Sequence, residues 1–330
     1  MSSVNRGLRT VSIIIPTYNR ANILGITLES CINQTYPKEL FEIIVTDNNS
    51  TDNTKAVVEE WQAKSDVPVK YIMEPRQGAH IARNTAAKSA KGEILYFTDD
   101  DMIADKNLLV NIVKVFDMNF NVAVAGGKVL PKWEFDPPEW LLKYFKNGSL
   151  SLIEKSEKLI IASYDIGIYS CHQAMLKEVL FKCGGFNPDI VKEKLMGNGE
   201  TGLNIKILDA GYNFAYVDDA ISYHMIPRSR MTQKYLNYRF GNQGNCDGFT
   251  GYRKNRNTNK ELIKLICFYH IPGMFNYLFR SMIKQKEKKG LWRLHRAYYH
   301  YFINRIKFDL KLVTDEKWRS YVLKYDYIND

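Results

Sequence analysis

Three consecutive aspartates, Asp99, Asp100 and Asp101, end the apolar stretch EILYFTDDD at residues 93–101. Neighbouring carboxylates repel each other, so such a run usually lies in a solvated turn, here with Asp101 or Asp105 capping the next helix. Several carboxylates at the end of a buried strand can instead bind one hard divalent cation, Mn²⁺ or Mg²⁺. A bound cation removes the repulsion and attracts phosphate oxygens, so this run is a candidate metal site for a phosphate-bearing substrate.

Polar clusters also follow the other apolar runs in the N-terminal half of the chain. PTYNR, TDNNSTD, EPRQGAH and TDDD end runs at residues 11–16, 42–47, 69–74 and 93–99. Continuous apolar runs of this length are typical of buried strands. The stretches between them predict helices at residues 22–32, 51–61 and 79–89, with Ser50 and Thr51 as caps of the second.

Strands that alternate with helices through short connections predict right-handed βαβ units and a mostly parallel sheet. Ligands bind at the carboxyl ends of the strands in such sheets, and the polar clusters occupy those ends. Farther along, the Pro-Pro break predicts an irregular loop or flap over a cleft at 133–145. A helix stopped by Gly184-Gly185 is predicted within 172–187, then a helix ending at Gly211 with a strand after it. From Thr232 onward the pattern is helical.

The composition is that of a globular protein, with 45% hydrophobic and 25% charged residues in a chain of 330. The five scattered cysteines predict reduced cytosolic thiols rather than disulfides or a zinc site. The first apolar run is too short for a signal peptide. Without about 18 uninterrupted apolar residues, no membrane-spanning helix is expected.

The net charge of +10 comes from the C-terminal segment, which has 18 Lys and Arg against 7 Asp and Glu from residue 251 onward. Basic helices rich in aromatic residues are typical of proteins that bind an anionic bilayer surface, with Trp292, Tyr298 and Tyr299 at the interface. The alternative is a helical appendage with a solvated basic face.

The ordered set VSIIIPTYNR, EIIVTDNNSTD and QGAHIARNTAAKSAKGEILYFTDDD resembles the family-2 inverting glycosyltransferases of the GT-A fold, from about Val11 to about Arg239. The resemblance implies an α/β fold with a Rossmann-like, mostly parallel central sheet flanked by helices. It implies a catalytic domain at 1–230, with a nucleotide-sugar half at about 1–130 and an acceptor half at about 131–230. Residues 231–330 then form a basic, aromatic-rich helical extension.

The resemblance also implies a metal-dependent transfer from a nucleoside-diphosphate sugar to a hydroxyl of a glycan or lipid-linked acceptor. The context would be surface polysaccharide synthesis in the cytoplasm, and a peripheral position on the inner face of the cell membrane is a further expectation. A UDP-sugar is the favoured donor. Where many members have a second aspartate this chain has Asn48, which keeps a carbonyl acceptor without the charge, so thymidine and guanosine stay alternatives.

The site residues implied by the resemblance fall into three groups. The donor-binding group includes Tyr18, placed to stack on the base, and consists of Pro16, Thr17, Tyr18, Asn19, Asp47, Asn48, Arg83, Asn84, Asp99, Asp100, Arg228 and Arg230. The metal ligands, for Mn²⁺ or Mg²⁺, are Asp101, Asp99 and His224, with Asp100 as the alternative to Asp101. The catalytic base is Glu200, aligned by counting back from the turn at 210–212, which also matches Leu203 and Lys206 to family positions.

Each of these residues also has a structural alternative. Glu200 favours the N-terminus of its helix through the dipole, Arg83 can pair with an acidic neighbour, and a lone histidine such as His224 is often structural. Two other functions are alternatives for parts of this sequence. A sugar-phosphate nucleotidyltransferase would need a Gly-rich, basic loop where PTYNRAN stands. A nucleic-acid-binding role for the basic tail leaves the acidic cluster unexplained, so no nucleic-acid partner is expected.

Overall fold

The computed structural model describes residues 8–118, 120–145, 148–188, 190–191, 195–196, 198–283 and 288–329. Four parallel strands form its N-terminal half, and apolar side chains bury the central ones on both faces because helices cover both sides of the sheet. The strands are β1 (Val11–Thr17), β2 (Phe41–Asp47), β3 (Val69–Met73) and β4 (Ile94–Thr98), in the order β3-β2-β1-β4. The predicted βαβ arrangement is confirmed here.

The second half of the sheet is mixed in direction. Its strands are β5 (Met102–Ala104), β6 (Val122–Trp133), β7 (Leu159–Ala162), β8 (His172–Leu176) and β11 (Asn213–Ile226), and the order continues β4-β8-β6-β11-β5. β6 and β11 are parallel to each other, while β8 is antiparallel to both β4 and β6. A two-stranded ribbon, β9 (Ile190–Val191) with β10 (Leu195–Met196), lies outside this sheet.

The described part of the catalytic half contains seven α-helices, and the first three match the predicted positions apart from one wrong cap. They are α1 (Ala21–Ile32), α2 (Thr54–Lys64), α3 (Ala79–Ser89), α4 (Leu108–Val113), α5 (Glu139–Phe145), α6 (Lys177–Lys182) and α7 (Gly199–Asp209). Ser50 and Thr51 do not cap α2, which begins after Asn53. Both residues instead hydrogen-bond to Asn19, because the turn after β2 folds back on the end of β1.

Two further predictions were wrong. The segment 172–187 is not one helix, because its first five residues form β8, buried between β4 and β6, and only Lys177–Lys182 is helical. The segment 133–145 is not wholly irregular, since α5 begins directly after the Pro-Pro pair at 137–138, a position where proline's fixed φ is compatible with a helix start. The helix α7 followed by β11 is confirmed.

The C-terminal segment is helical, as predicted. Its helices are α8 (Gln233–Asn255), α9 (Asn259–Leu265), α10 (Ile271–Met282), α11 (Leu291–Thr314) and α12 (Glu316–Leu323), with a π-helical turn at Ile266–His270 between α9 and α10. α8 and α11 pack along most of their length. They enclose a small apolar core of their own, whereas Met231, Leu236 and Ile328 belong to the core of the catalytic half.

One part of this extension exposes a continuous apolar face. Phe268, Phe275, Phe279 and Met282 are between 59% and 73% exposed, and their spacing puts them on one side of the α9–α10 rod. The stretch Asn259–Met282 is long and apolar enough to span a membrane by length and composition, with a mean hydropathy of 1.2. The expectation of no membrane-spanning helix depended on the lack of an uninterrupted apolar run, and it stays a prediction.

The structure shows the surroundings of Tyr298 and of the five cysteines, for which predictions were made from the sequence. Tyr298, predicted at a membrane interface, packs inside the extension against Phe240 and Tyr277, with ring centroids 5.0 and 4.9 Å away. The predicted interface positions of Tyr298, Trp292 and Tyr299 stay predictions. All five cysteines are free thiols, as predicted.

Candidate functional site

A cavity of about 610 Å³ opens at the carboxyl ends of β1 and β4. The residue after β4 and the first turns of α3 and α7 meet there, and α8 closes one side. Its lining brings together most of the residues singled out in the sequence: Pro16, Thr17, Tyr18, Asn48, Arg83, Asp99, Asp100, Asp101, Glu200 and Arg230. The predicted convergence of polar clusters at this sheet edge is therefore observed.

The three aspartates have three different environments. Asp99, the most exposed of them, forms an ion pair with Arg83. Asp100 is buried and accepts a hydrogen bond from the Thr17 hydroxyl at 2.8 Å. Asp101 is also buried, with the Arg230 guanidinium 2.6 Å from its Oδ2. The charge of the run is thus balanced by arginines from α3 and from the turn after β11.

Burial and charge separate the pKa values of Asp100 and Asp101. Burial, helped by the neighbouring charge of Asp101, raises the pKa of Asp100 to about 7. Burial also acts to raise the pKa of Asp101, but the nearby His224 imidazole and the charge of Arg230 outweigh it and hold that pKa well below its ordinary value. Asp101 is therefore the permanently ionised carboxylate of the two.

The donor set at Asp101 fits a divalent cation. Its Oδ1 is buried at the cavity without a hydrogen-bond partner, and His224 Nε2 lies 3.5 Å from that oxygen. Carboxylate oxygens suit both Mg²⁺ and Mn²⁺, and the imidazole suits Mn²⁺ better. Across the ranges that the structure describes, no group of three or more His, Cys, Asp or Glu side chains is already arranged around a metal position. Arg230 contacts both Asp101 and His224, so a cation would have to displace it.

On the opposite wall, the predicted base-binding residues hold two turns together. Asn19, at φ +52°, accepts from the Thr51 amide, and Asp47 accepts from Ser50 N at 2.8 Å and from the Tyr71 hydroxyl at 2.8 Å. Asn48 donates to the carbonyls of Glu74 and Arg76 and accepts from the Gly78 amide at 2.7 Å. The carbonyl of Asn48 that was expected to meet a base is thus already bonded to the loop before α3.

Two residues predicted to contact the donor, Asn84 and Arg228, are not among the described residues that line the cavity. Asn84 binds the backbone of Phe186 through both its side-chain nitrogen and its oxygen, each at 2.9 Å. Arg228 is exposed, with its guanidinium 5.5 Å from the Phe135 ring. Asp47 and Asn19 also stand behind the lining rather than in it. As substrate contacts, these four residues stay predictions.

Glu200 lies at the start of α7 and is joined to the donor side by a chain of contacts. Its Oε2 is 3.0 Å from His80 Nε2, and His80 Nδ1 is 2.8 Å from Arg83 Nη1. Although burial acts to raise the pKa of Glu200, the hydrogen bond with His80 lowers it to about 2. Gly199 allows this contact, since at φ +43° a Cβ there would lie 2.3 Å from the imidazole.

Sequence reasoning missed several side chains of this cavity. His80 comes three residues before Arg83 on α3, so helical spacing alone places both on one face. Arg20, in the PTYNR cluster, lines the cavity next to Tyr18. Arg239 and Gln243 come from α8, and only their four-residue spacing on a helix gave any signal.

The sequence matches the family model of glycosyl transferase family 2 over residues 12–185, more than half of the chain. Glycosyltransferase AglE of Haloferax volcanii is 28% identical over 217 residues, covering 65% of this chain and 66% of the relative. The uncharacterized glycosyltransferase YfnE of Bacillus subtilis is 40% identical over 115 residues, 35% of this chain and 29% of the relative.

A third relative, the poly(ribitol-phosphate) β-N-acetylglucosaminyltransferase TarS of Staphylococcus aureus, is 35% identical over 106 residues, 32% of this chain and 18% of the relative. The chain therefore matches less than two thirds of the length of each of these three relatives.

Solved structures share the fold over almost the whole chain. A mannosyltransferase from Pyrobaculum calidifontis, PcManGT, solved in complex with GDP-Man and Mn²⁺, superposes with a TM-score of 0.61 at 19% identity, covering 91% of this chain and 88% of that one. Residues 1–349 of S. aureus TarS with UDP give a TM-score of 0.50 at 18% identity, with 93% and 92% coverage. The predicted GT-A architecture, with a mostly parallel central sheet and a helical C-terminal region, is confirmed.

Proposed function

The chain belongs to glycosyl transferase family 2 and is a glycosyltransferase, and from this premise we propose a metal-dependent, inverting transfer from a nucleoside-diphosphate sugar to an acceptor hydroxyl. The observation that carries the proposal is that Glu200 and the carboxylates Asp99 and Asp101 face one cavity. A general base and a binding site for a diphosphate are thus available to the same substrate pair.

In the proposed reaction, Glu200 accepts the proton of the acceptor hydroxyl while the acceptor oxygen forms a bond to the anomeric carbon. The bond from that carbon to the diphosphate breaks, and the nucleoside diphosphate leaves with the electron pair. One displacement inverts the anomeric configuration. Asp101 and Asp99 with His224 would hold the cation, which supplies positive charge to the leaving diphosphate. Arg230 and Arg83, released from the aspartates, are placed to contact the same phosphates.

For the donor we propose a UDP-sugar, and the alternatives are donors that carry GDP or TDP. The TarS structure contains UDP, while the PcManGT structure contains GDP-Man, so uridine and guanosine nucleotides both occur on this fold. Tyr18 is 47% exposed at the cavity edge, which leaves a ring face for stacking on a base. The acceptor we propose is a hydroxyl of a surface glycan or of a lipid-linked glycan.

The test combines substitution with a thermal-shift panel of UDP, GDP and TDP, each with and without Mn²⁺. Glu200→Gln should keep the nucleotide-induced shift and lose about 10²- to 10⁴-fold in turnover, the usual contribution of a general base. Asp101→Asn should lose the Mn²⁺-dependent part of the shift. Glu178→Gln, an exposed glutamate on α6, serves as the matched control. Turnover of Glu200→Gln within a few-fold of wild type would refute the base assignment.

We also propose that the enzyme acts peripherally on the inner face of the cell membrane, from the cytoplasm. The exposed apolar face of α9 and α10 supports this, because basic residues at Lys260, Lys264 and Arg280 accompany it and attract anionic headgroups. The face differs from the predicted one around Tyr298.

Co-sedimentation with vesicles tests the membrane proposal. Vesicles containing phosphatidylglycerol should pellet the protein, whereas pure phosphatidylcholine vesicles should pellet much less of it. Phe275→Ser with Phe279→Ser should abolish pelleting, because both side chains lie on the exposed face at 59% and 65% exposure. Met73→Ser, an exposed apolar residue at the end of β3, should have no effect. Equal pelleting of the double variant and wild type would contradict the proposal.

A further inference from the structure

A second cavity, of about 740 Å³, adjoins the catalytic one. It lies between α5 of the catalytic half and α8, α10 and α11 of the extension. Gly148, Arg239 and Gln243 line both cavities, so the second lies directly beside the site that holds Glu200. Nothing in the proposed transfer of the sugar itself uses this space.

Flat aromatic rings and a hydrogen-bonded carboxylate share the wall of the second cavity. Tyr277 is stacked with Tyr298 at 4.9 Å and 25°, and with Phe302 at 5.7 Å and 24°. Asp247 lines the same cavity and accepts hydrogen bonds from the Tyr301 hydroxyl at 2.7 Å and from Gln243 Nε2 at 2.7 Å. The cavity therefore combines an aromatic wall with oriented polar groups.

The packing of α8 on α11 fixes these groups in place. A Cβ at Gly244 would lie 2.3 Å from the carbonyl oxygen of Tyr301, and one at Gly248 would lie 2.5 Å from the Phe308 ring. Only glycine lets the two helices approach this closely. The wall is thus built on rigid elements rather than on a loop, as a binding site for a defined ligand requires.

We propose that the second cavity is an acceptor subsite that binds saccharide units of a glycan chain whose terminal hydroxyl reaches Glu200. This inference rests on the proposed transferase function and names the substrate class of its acceptor side. The C–H faces of a pyranose ring stack on aromatic rings, while its hydroxyls bind carboxylate, amide and guanidinium groups. Tyr277, Asp247 and Arg239 offer these partners side by side.

The chemistry favours a glycan over a polyprenyl chain at this position. An acyl or prenyl chain would leave the Asp247 carboxylate and the Arg239 guanidinium facing hydrocarbon without new partners, which is costly. Saccharide hydroxyls can bond to both. The apolar face of α10 is separate from this cavity, since its exposed members, Phe275 and Phe279, do not line it.

The experiment measures glycan and nucleotide binding separately on the full-length chain. A defined array of tri- to hexasaccharides supplies the glycan probes, and farnesyl diphosphate supplies a prenyl probe. Dissociation constants of the array-positive glycans are then measured for wild type, Tyr277→Ala, Asp247→Asn and the control Tyr238→Ala, an exposed tyrosine on α8 outside both cavities. UDP binding with Mn²⁺ is followed in parallel by thermal shift.

We expect at least one array glycan to bind, and Tyr277→Ala and Asp247→Asn each to weaken it about tenfold, with UDP still bound and Tyr238→Ala unchanged. The inference is overturned if wild type binds none of the array glycans. It is also overturned if Tyr277→Ala and Asp247→Asn both bind the glycan as tightly as wild type does. Competition by farnesyl diphosphate that Tyr277→Ala abolishes would identify a prenyl channel instead. If wild type binds array glycans but not UDP, the proposed transferase function is refuted and the glycan-binding cavity is not.

Discussion

At the scale of residues, Arg83 determines which ring nitrogen of His80 carries the proton. A guanidinium can only donate, so His80 Nδ1 accepts from Arg83 at 2.8 Å and the proton sits on Nε2. That N–H then donates to Glu200, 3.0 Å away. The imidazole, stacked on Phe186 with centroids 5.0 Å apart, is held in this orientation. We therefore assign His80 as a positioning residue for the base.

Replacing His80 should move the acid limb of the pH–rate profile. In wild type the pKa of Glu200 is about 2, so the base stays ionised throughout the usual assay range. In His80→Ala the lowering hydrogen bond is gone, and only the backbone hydrogen bond and the charge of Arg83 still oppose burial, so the pKa of Glu200 rises and kcat falls on the acid side.

His80→Gln, which can still donate a hydrogen bond, should restore the position of the limb even if kcat stays lower. Kinetics from pH 4.5 to 8 provide the measurement. If His80→Ala lowers kcat equally at every pH, His80 has only a structural role.

How much of the site could be foreseen depends on where side chains point. Asp99 and Asp101 were singled out because three consecutive aspartates end one apolar run, and Glu200 because its distance from the turn at 210–212 matches the base position of the resembled family. Asn48 and Asn84 were predicted as substrate contacts, yet in the structure their amides bind backbone groups of other loops. Short amide side chains serve turns and ligands equally well, and nothing in a one-dimensional pattern distinguishes the two.

At the scale of elements, some strands follow from their own sequence, whereas the conformation of others depends on the strands beside them. The strands β1 to β4 were predicted because each contains a continuous apolar run of the length of a buried strand. The strand β8 was not, because HQAML continues directly into the helix Lys177–Lys182 and shares its apolar character. Its strand conformation comes from hydrogen bonds with β4 and β6 on either side, which are distant in sequence.

The close contact of α8 with α11 yields a prediction for two glycines on one helix. Gly244→Ala should destabilise the fold by about 1–3 kcal/mol, because its Cβ would meet the Tyr301 carbonyl and force the helices apart. Gly251→Ala is the matched control: its Cβ would come no nearer than 3.4 Å, to the Arg305 guanidinium. This change should be neutral or slightly stabilising, since alanine favours helices more than glycine does.

Urea unfolding followed by circular dichroism measures both changes in the free energy of unfolding. Equal effects of the two substitutions would mean that helix propensity, and not the approach of α11, decides the outcome at Gly244. A loss confined to Gly244→Ala would support the rigid wall proposed for the second cavity.

At the scale of the whole molecule, the end of the chain returns to support the catalytic half. Lys206, on α7, donates to the carbonyl oxygens of Gly185 at 2.9 Å and Tyr325 at 3.1 Å. Tyr327 N donates to the Gly184 carbonyl, 2.8 Å away. The Gly184-Gly185 turn precedes Phe186, which packs on His80, so the C-terminal residues support the loop beneath the base. No pattern in the sequence linked residues this far apart.

The amine at this junction makes stability depend on pH in a defined direction. Burial lowers the pKa of Lys206 from 10.5 to about 7, with the charge of Arg253 as the next cause. Between these values the unfolded chain binds a proton that the folded chain does not, so the free energy of unfolding rises with pH. Lys206→Met removes this contribution. The difference in unfolding free energy, wild type minus variant, should therefore increase from pH 7.5 to 9.5, by up to ~1.4 kcal/mol per pH unit.

Comparing differences between two proteins cancels the thiols and phenols that also titrate in this range. Lys182→Met is the matched control on α6, because the Tyr212 hydroxyl raises the pKa of that exposed amine and leaves it charged in both states up to pH 9.5. Its difference should stay flat. A flat difference for Lys206→Met as well would mean that the amine stays charged when folded, so that its hydrogen bonds to the Gly185 and Tyr325 carbonyls offset its burial.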